Sequence, residues 1–546
     1  MTLLPLDSES VLVPIKVERD THGGATALLD WFRRRRVDLA ILAVLLLVAA
    51  MFHANGMDHN PARGDDEGTY VAQAWAVNQG ELAHYTYWYD HPPVGWIQLA
   101  AYDRVTGAFA DSDTAVAGGR EAMLVVKLAT MVALYVLARR LRLSPVSAGL
   151  AVALFSLSPL AITFQRAVWL DNIAVLWLAI SLALVSDRRG RMGPVVLASV
   201  CFAIAVLTKE TTLLVAPFLG WLAWRHLPAP TRLMAAVVAT TTSAIVVLGY
   251  PLLAILRGEL IPGDGHVSLL GAVHWQLVAR ESSGNIFDTG TEANRVLMDW
   301  FNADPGLVLL GSLAVIPALL IPRVRPLAAC LAFHLVLPLR GGYLPVPYII
   351  VLIPLLALCL AAVVDAAFRR IDLDELRAVG RWIRHRLVNA NPLMGPPAPG
   401  VKHAAYGIEA VAAVGLALVL AFVIVPHWSA THVDGDLRSA APDAGITGAQ
   451  DWLEANVDPT ASVVVEDTIW LDLVHAGFEP DKVIWFFKVD LDPAVKAGPD
   501  NVDYVVLHNY LAEEARPILA DILDHSEIVA TFGQGIGEVS VWRVQR

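Results

Sequence analysis

Three consecutive carboxylates, Asp65, Asp66 and Glu67, stand between Gly64 and Gly68, with Thr69 and Tyr70 directly after them. A short gap later comes Asp90-His91-Pro92-Pro93-Val94-Gly95-Trp96. The acidic run lies a short way beyond the first long apolar stretch, which predicts a position just outside a membrane. A carboxylate held there is suited to take the proton of an attacking hydroxyl. The plain alternative is a loop made acidic for solubility. Asp65 and Asp66 compete for the role of base, and Glu67 would orient the loop or a hydroxyl of the substrate.

The elements that must position these groups follow from composition. Of 546 residues, 56% are hydrophobic and only 17% charged, and the mean hydropathy is +0.54. This is the composition of a polytopic membrane protein. A formal charge of −12 argues against a nucleic-acid partner, which needs a concentrated basic surface. Cys201, Cys330 and Cys359 fall in apolar runs as small hydrophobes, with neither disulfide nor zinc spacing.

Residues 1 to 36 read as a cytoplasmic segment ending in Arg33 to Arg36, and the apolar run from Val37 to Ala54 as a retained first span. Further apolar runs lie near 121–138, 145–164, 171–186, 194–208, 211–226, 232–256, 306–321, 326–339, 343–366 and 405–426. The expectation is an α-helical membrane domain over 37–426 with about eleven spans. Arginines then fall in the loops counted as cytoplasmic, including 367–404, while outer loops at 55–120 and 257–305 stay acidic or neutral. Within the first outer loop, helical spacing predicts two surface helices, over 69–82 and 93–105. The segment around 257–305 reads as a lid or acceptor loop. Residues 427–546 turn soluble in composition, and apolar runs at 463–465, 483–487, 504–507 and 539–544 predict strands of an extracytoplasmic α/β domain. With no nucleophile elbow, phosphate loop or metal set, that domain is expected to bind or shield.

Ionisable groups near span ends cost roughly 2.5–3.5 kcal/mol at the bilayer centre, so those present are candidates for function. Arg166 and Asp171 flank an outer turn, Lys209 and Glu210 end the fifth span, Arg120 leads into the second, and Arg340 precedes Gly341-Gly342-Tyr343. Each also has a plain structural account: a local salt bridge, a snorkelling lysine, or a lipid headgroup contact.

The first outer loop resembles that of the GT-C glycosyltransferases, in particular protein O-mannosyltransferases and lipid A aminoarabinose transferases. In those families an Asp-Glu pair opens a loop helix with Tyr four residues after the Asp, and a His-Pro-Pro or Lys-Pro-Pro turn follows. Asp66, Glu67 and Tyr70 fit that register, and His91-Pro92-Pro93 supplies the turn. The resemblance implies Asp66 and Glu67 as the catalytic pair. It likens Lys209 to a lysine that helps hold the lipid phosphate, and Arg166 and Asp171 to the Arg and Leu-Asp of the outer turn. Tyr70, His91, Arg120, Arg340 and Tyr343 complete the expected binding set.

The implied reaction moves a sugar from a polyprenyl-phosphate donor to a hydroxyl of a glycan, lipid or protein on the outer face of the plasma membrane. Cations stabilise the leaving phosphate, so no cofactor is required, although the carboxylates are compatible with a divalent cation. A transporter or flippase of lipid-linked glycan is the alternative, and it calls for internal repeats and midplane charges. The third reading, a sensor, has no need of so many spans.

Overall fold

The computed structural model describes residues 24–64, 66–187, 189, 191–263, 266–370, 424–431, 443–492 and 494–545. Asp65, nearly all of the expected cytoplasmic loop 367–404 and most of the run 405–426 lie outside the described residues.

Every apolar run inside the described residues is helical, but few make one straight span. Four helical stretches are long and apolar enough to cross a membrane: Arg35–Ala54, Ala115–Arg140, Ala229–Leu256 and Val346–Arg369. Counting each sharply bent pair as one span raises this to six among the described residues. The reason lies in proline. Pro159 and Pro305 each begin a new helix, with bends of 60° and 101° at the respective breaks, because proline lacks the N–H that would continue the preceding turn. Ser158 and Asp304 cap the helices that follow. The expected run 211–226 likewise divides into the 3-10 turn Glu210–Val215 and the helix Ala216–His226. The helices Leu170–Val185 and Met192–Thr208 are apolar but short. Among the described residues, the expected spans therefore correspond to helical segments of very unequal length.

The first outer loop forms both expected helices, Glu67–Gln79 and Val94–Thr106. Gly80 ends the first in the left-handed conformation (φ +95°), its N–H donating to Val77 and that of Glu81 to Ala76, a geometry that costs glycine little.

Residues 443–545 form a five-stranded sheet in the order β2-β1-β3-β5-β4. β1 (Val463–Val465) pairs in parallel with β2 (Val483–Trp485) and β3 (Tyr504–His508). β5 (Val539–Val544) runs antiparallel to β3 and to β4 (Ser526–Phe532). β4 escapes sequence reading because it is a partly exposed edge strand without a solid apolar run.

This unit is docked on the first outer loop by both apolar and polar contacts. One apolar cluster runs from Tyr70, Val71 and Ala74 through Trp96 to Trp470, Val465 and Trp485. Arg63 pairs with Asp443 (3.3 Å), and the Ala115 N–H donates to Asp472 (2.6 Å). Gly68 passes so close to the backbone of Asp467 that a Cβ would meet its carbonyl oxygen at 2.1 Å. Beside it, the N–H and hydroxyl of Thr69 both donate to Asp467 Oδ2 at 2.7 Å.

Burial pushes the Asp467 carboxyl from an ordinary 3.8 to about 7, with the charges of Asp66 and Glu466 adding to the rise against the Thr69 hydrogen bonds. Between those pH values the folded chain holds a proton that the unfolded chain gives up. The contribution to stability is therefore complete below about pH 4 and is lost as pH rises through about 7. The thermal midpoint of the wild-type protein in detergent should fall across this window relative to Asp467→Asn. Parallel midpoint–pH curves for the two proteins would show that Asp467 does not titrate there.

Candidate active site

Asp66 immediately precedes the loop helix and occupies its N-cap position, yet its side chain makes no capping bond. An aspartate there usually accepts from the N–H two or three residues on. Here that donor, Thr69 N–H, is satisfied by Asp467. Asp66 Oδ2 instead accepts from the Tyr70 hydroxyl at 3.0 Å, one helical turn further on. Burial, reinforced by Asp66, raises the Tyr70 phenol well above its usual value, so it remains a donor.

Both residues line a cavity of about 400 Å³, within the range of small-molecule sites. Asp90 and His91 from the same loop share its wall, as do Arg280 from the 257–305 segment and Trp485, Phe487 and Lys488 from the sheet domain. Rings of Tyr87, Trp88, Trp96 and Trp275 complete a surface on which a sugar ring can stack.

Lys209 is set one side chain behind this wall. It follows the Met192–Thr208 helix as its C-cap, is buried, and donates to His91 Nε2 at 3.0 Å. Its ammonium lies 3.5 Å from Asp171 Oδ2. His91 Nδ1 lies 3.1 Å from Glu210 Oε2. The expected residues His91, Lys209 and Asp171 are thus joined in one chain, Asp171–Lys209–His91–Glu210, and its His91 member reaches the cavity. The Tyr87 hydroxyl donates to the His91 carbonyl at 2.5 Å, fixing the turn before Pro92.

Glu67, Arg120 and Arg166 are committed elsewhere. Arg120 is fully buried and grips both carboxylate oxygens of Glu67, at 2.9 and 2.6 Å. Its other donors reach the carbonyls of Met57 and Pro61, at 2.9 and 2.8 Å. Glu67 also accepts from the Val168 N–H at 2.9 Å. Arg166 donates to the carbonyls of Phe52, Asn55 and Asn60. These side chains hold backbone and do not line the cavity, so Glu67 orients the loop and the two arginines stitch the chain leaving the first helix. Arg340 is exposed on the 3-10 turn Leu337–Arg340. Tyr343 lies under the Arg280 guanidinium, 3.3 Å from ring centre to Cζ, and so supports a cavity residue.

Arg280, Asp90 and Lys488 lay outside the expected set. Asp90 adjoins His91, and Lys488 ends the run Trp485-Phe486-Phe487-Lys488, whose aromatic density was the available signal. Among the described residues, no group of three or more His, Cys, Asp or Glu side chains is arranged to hold a metal ion.

Residues 90–252 match the sequence family described as dolichyl-phosphate-mannose-protein mannosyltransferase. That span includes His91, Arg166, Asp171 and Lys209 but begins after Asp66. Two solved structures share the fold. One is ArnT from Cupriavidus metallidurans bound to undecaprenyl phosphate, 15% identical, with 94% of this chain and 98% of that chain covered and a TM-score of 0.52. The other is the archaeal oligosaccharyltransferase AglB from Archaeoglobus fulgidus, in complex with an inhibitory peptide and a dolichol-phosphate; it is 13% identical, with 87% and 70% covered and a TM-score of 0.53. At these identities the likeness is one of fold. A search of curated proteins found no match.

Removing either partner of the Glu67–Arg120 pair leaves a buried charge, at a cost of about 3–5 kcal/mol. Glu67→Leu and Arg120→Met should each lower the thermal midpoint sharply, and the double substitution should recover much of the loss. If Arg120→Met keeps the wild-type midpoint and loses only affinity for undecaprenyl phosphate, Arg120 belongs to the donor site after all.

Proposed function

Taking the chain as a membrane glycosyltransferase of the GT-C class, we propose that it transfers a sugar from a polyprenyl-phosphate donor to an acceptor hydroxyl at the outer membrane face, with Asp66 as the base. The observation that carries this reading is the Asp66 carboxylate. It is released from helix capping, held by Tyr70, and exposed on an aromatic cavity wall beside His91. In the proposed step the acceptor hydroxyl attacks the anomeric carbon. Its proton passes to Asp66, and the sugar–phosphate bond breaks with its electrons on the phosphate.

That phosphate needs positive charge but no proton. The His91–Lys209 pair supplies it, with Asp171 and Glu210 fixing both side chains. Lys209 must turn past His91, or act through it, to meet the donor. The aromatic rings hold the sugar, and the 257–305 segment forms a wall through Trp275 and Arg280.

Asp66→Asn retains size and a hydrogen-bond acceptor for Tyr70. Transfer of radiolabelled sugar from polyprenyl phosphate should drop about 10²–10⁴-fold, while binding of undecaprenyl phosphate and the thermal midpoint stay unchanged. Full turnover by this variant excludes Asp66 as base. A protein that moves labelled donor across liposomes without consuming it, equally well with Asp66→Asn, would be a translocator.

The same reading places the N-terminus inside and residues 443–545 outside. A single cysteine introduced near residue 500 should react with an impermeant maleimide on intact cells, and one near residue 390 should not; the opposite pattern inverts the orientation.

A further inference from the structure

One corner of the cavity gathers three donor groups, on Lys488, Trp88 and Trp485, that make no hydrogen bond among the described residues. Lys488, in the short helix Lys488–Leu491 that follows β2, is 5% exposed yet lines the cavity. Its ammonium stands 3.8 Å over the ring of Trp88, with Tyr85 and Trp485 at 5.4 and 5.9 Å. Among the described residues it makes no hydrogen bond, and its nearest carboxylate oxygen, on Asp492, is 3.8 Å away. Of that carboxylate, Oδ1 accepts from Thr86 Oγ1 and the Ala494 N–H, while Oδ2, the oxygen nearest Lys488, is buried without a hydrogen bond among the described residues and meets the ammonium only at ion-pair distance.

The indole N–H groups of Trp88 and Trp485 are also buried without a partner among the described residues. Both rings line the same cavity. Two buried indole N–H groups without acceptors, beside an ammonium held only by an ion pair at 3.8 Å, are costly, since each forgoes hydrogen bonds to water. The other cation on the wall, Arg280, is engaged by Gln276 at 2.9 Å and by stacking on Tyr343. Lys488 therefore has the donors to spare.

We propose that Lys488, with the indoles of Trp88 and Trp485, forms a binding subsite for an anionic group, a phosphate or carboxylate, carried by a bound sugar substrate. An oxyanion supplies acceptor lone pairs to donors that Asp492 leaves without a hydrogen bond, and a charge-assisted bond to the ammonium offsets the cost of its burial. Burial lowers the Lys488 pKa to about 8, against the opposing pull of Asp492 and Asp90, so most of the population is cationic at neutral pH. The outer domain then contributes recognition to a cavity whose base comes from the membrane domain. The assignment builds on the sugar-transfer reading of this cavity, but its test needs no turnover.

The anion can belong to the acceptor or be the phosphate of the donor, and two sets of probes separate these sources. Tryptophan fluorescence of the full-length protein in detergent would be titrated at pH 7 with glucose, glucuronate and glucose 6-phosphate, and separately with undecaprenyl phosphate. With an acceptor-side anion, the charged sugars should bind about tenfold or more tighter than glucose, the scale of one charge-assisted bond. Lys488→Met should erase that preference, Lys488→Arg should restore it, and undecaprenyl phosphate should bind all three proteins alike. With a donor-side anion, only undecaprenyl phosphate should weaken in Lys488→Met. If Lys488→Met, folded by its thermal midpoint, binds every probe as the wild type does, the subsite does not exist. Loss of sugar transfer in wild type with the anion preference intact would count against the transferase reading alone.

Discussion

The arrangement depends first on the buried pairing of Glu67 with Arg120. Two side chains without solvent contact exchange two hydrogen bonds, and their remaining capacity is used on Val168 N–H and on carbonyls of the chain between the first helix and the loop. Such a pair contributes little net stability over a well-packed apolar replacement. Its contribution is geometric. It fixes the start of the Glu67–Gln79 helix against the Ala115–Arg140 helix and against the turn at Val168, and Asp66 is the residue immediately before. A displacement of this helix end would carry the carboxylate out of reach of the cavity, where proton transfer tolerates little error in distance.

Much of this loop is legible in sequence because its determinants are local. A carboxylate and a tyrosine four residues apart meet across one helical turn, and Tyr70 does donate to Asp66. The two loop helices and the first strand of the outer domain also depend on short-range spacing, and all three form within two or three residues of their expected bounds. The chemistry of Arg120 and Arg166 was not legible for the opposite reason. An arginine near a span end meets a lipid phosphate, a substrate or a backbone carbonyl according to how the chain folds back, and their carbonyl partners lie 58 to 114 residues away. Lys488 is further removed still, since the aromatic run that it ends marks a packed strand without indicating that it meets residues 66 to 96 across a cavity.

The outer part, expected to bind or shield, meets the membrane part through direct packing. Trp75 meets Trp470 edge to face at 5.3 Å, and Tyr85 packs on Trp485 at 4.6 Å. The Tyr85 hydroxyl also donates to the Val483 carbonyl and accepts from the Trp485 N–H, at 3.0 and 3.2 Å. Hydrophobic burial and strand-edge hydrogen bonds thus continue across the junction. The cavity wall is common to both parts, and neither forms it alone.

The exchange of capping partners at the helix start gives this junction a chemical consequence. An aspartate at an N-cap is ordinarily drawn to the free N–H groups of its own helix. Were Asp66 so engaged, a carboxylate oxygen would be occupied at the point where a hydroxyl proton has to be received. Asp467 takes over that bond from across the junction, and the close passage of Gly68 beneath its backbone leaves room for the approach. Asp66 is left with Tyr70 as its hydrogen-bond partner among the described residues, on the wall of the cavity. The outer domain, separated by hundreds of residues, completes the helix that Asp66 precedes and in doing so leaves the Asp66 carboxylate free of capping, as the proposed role of base requires.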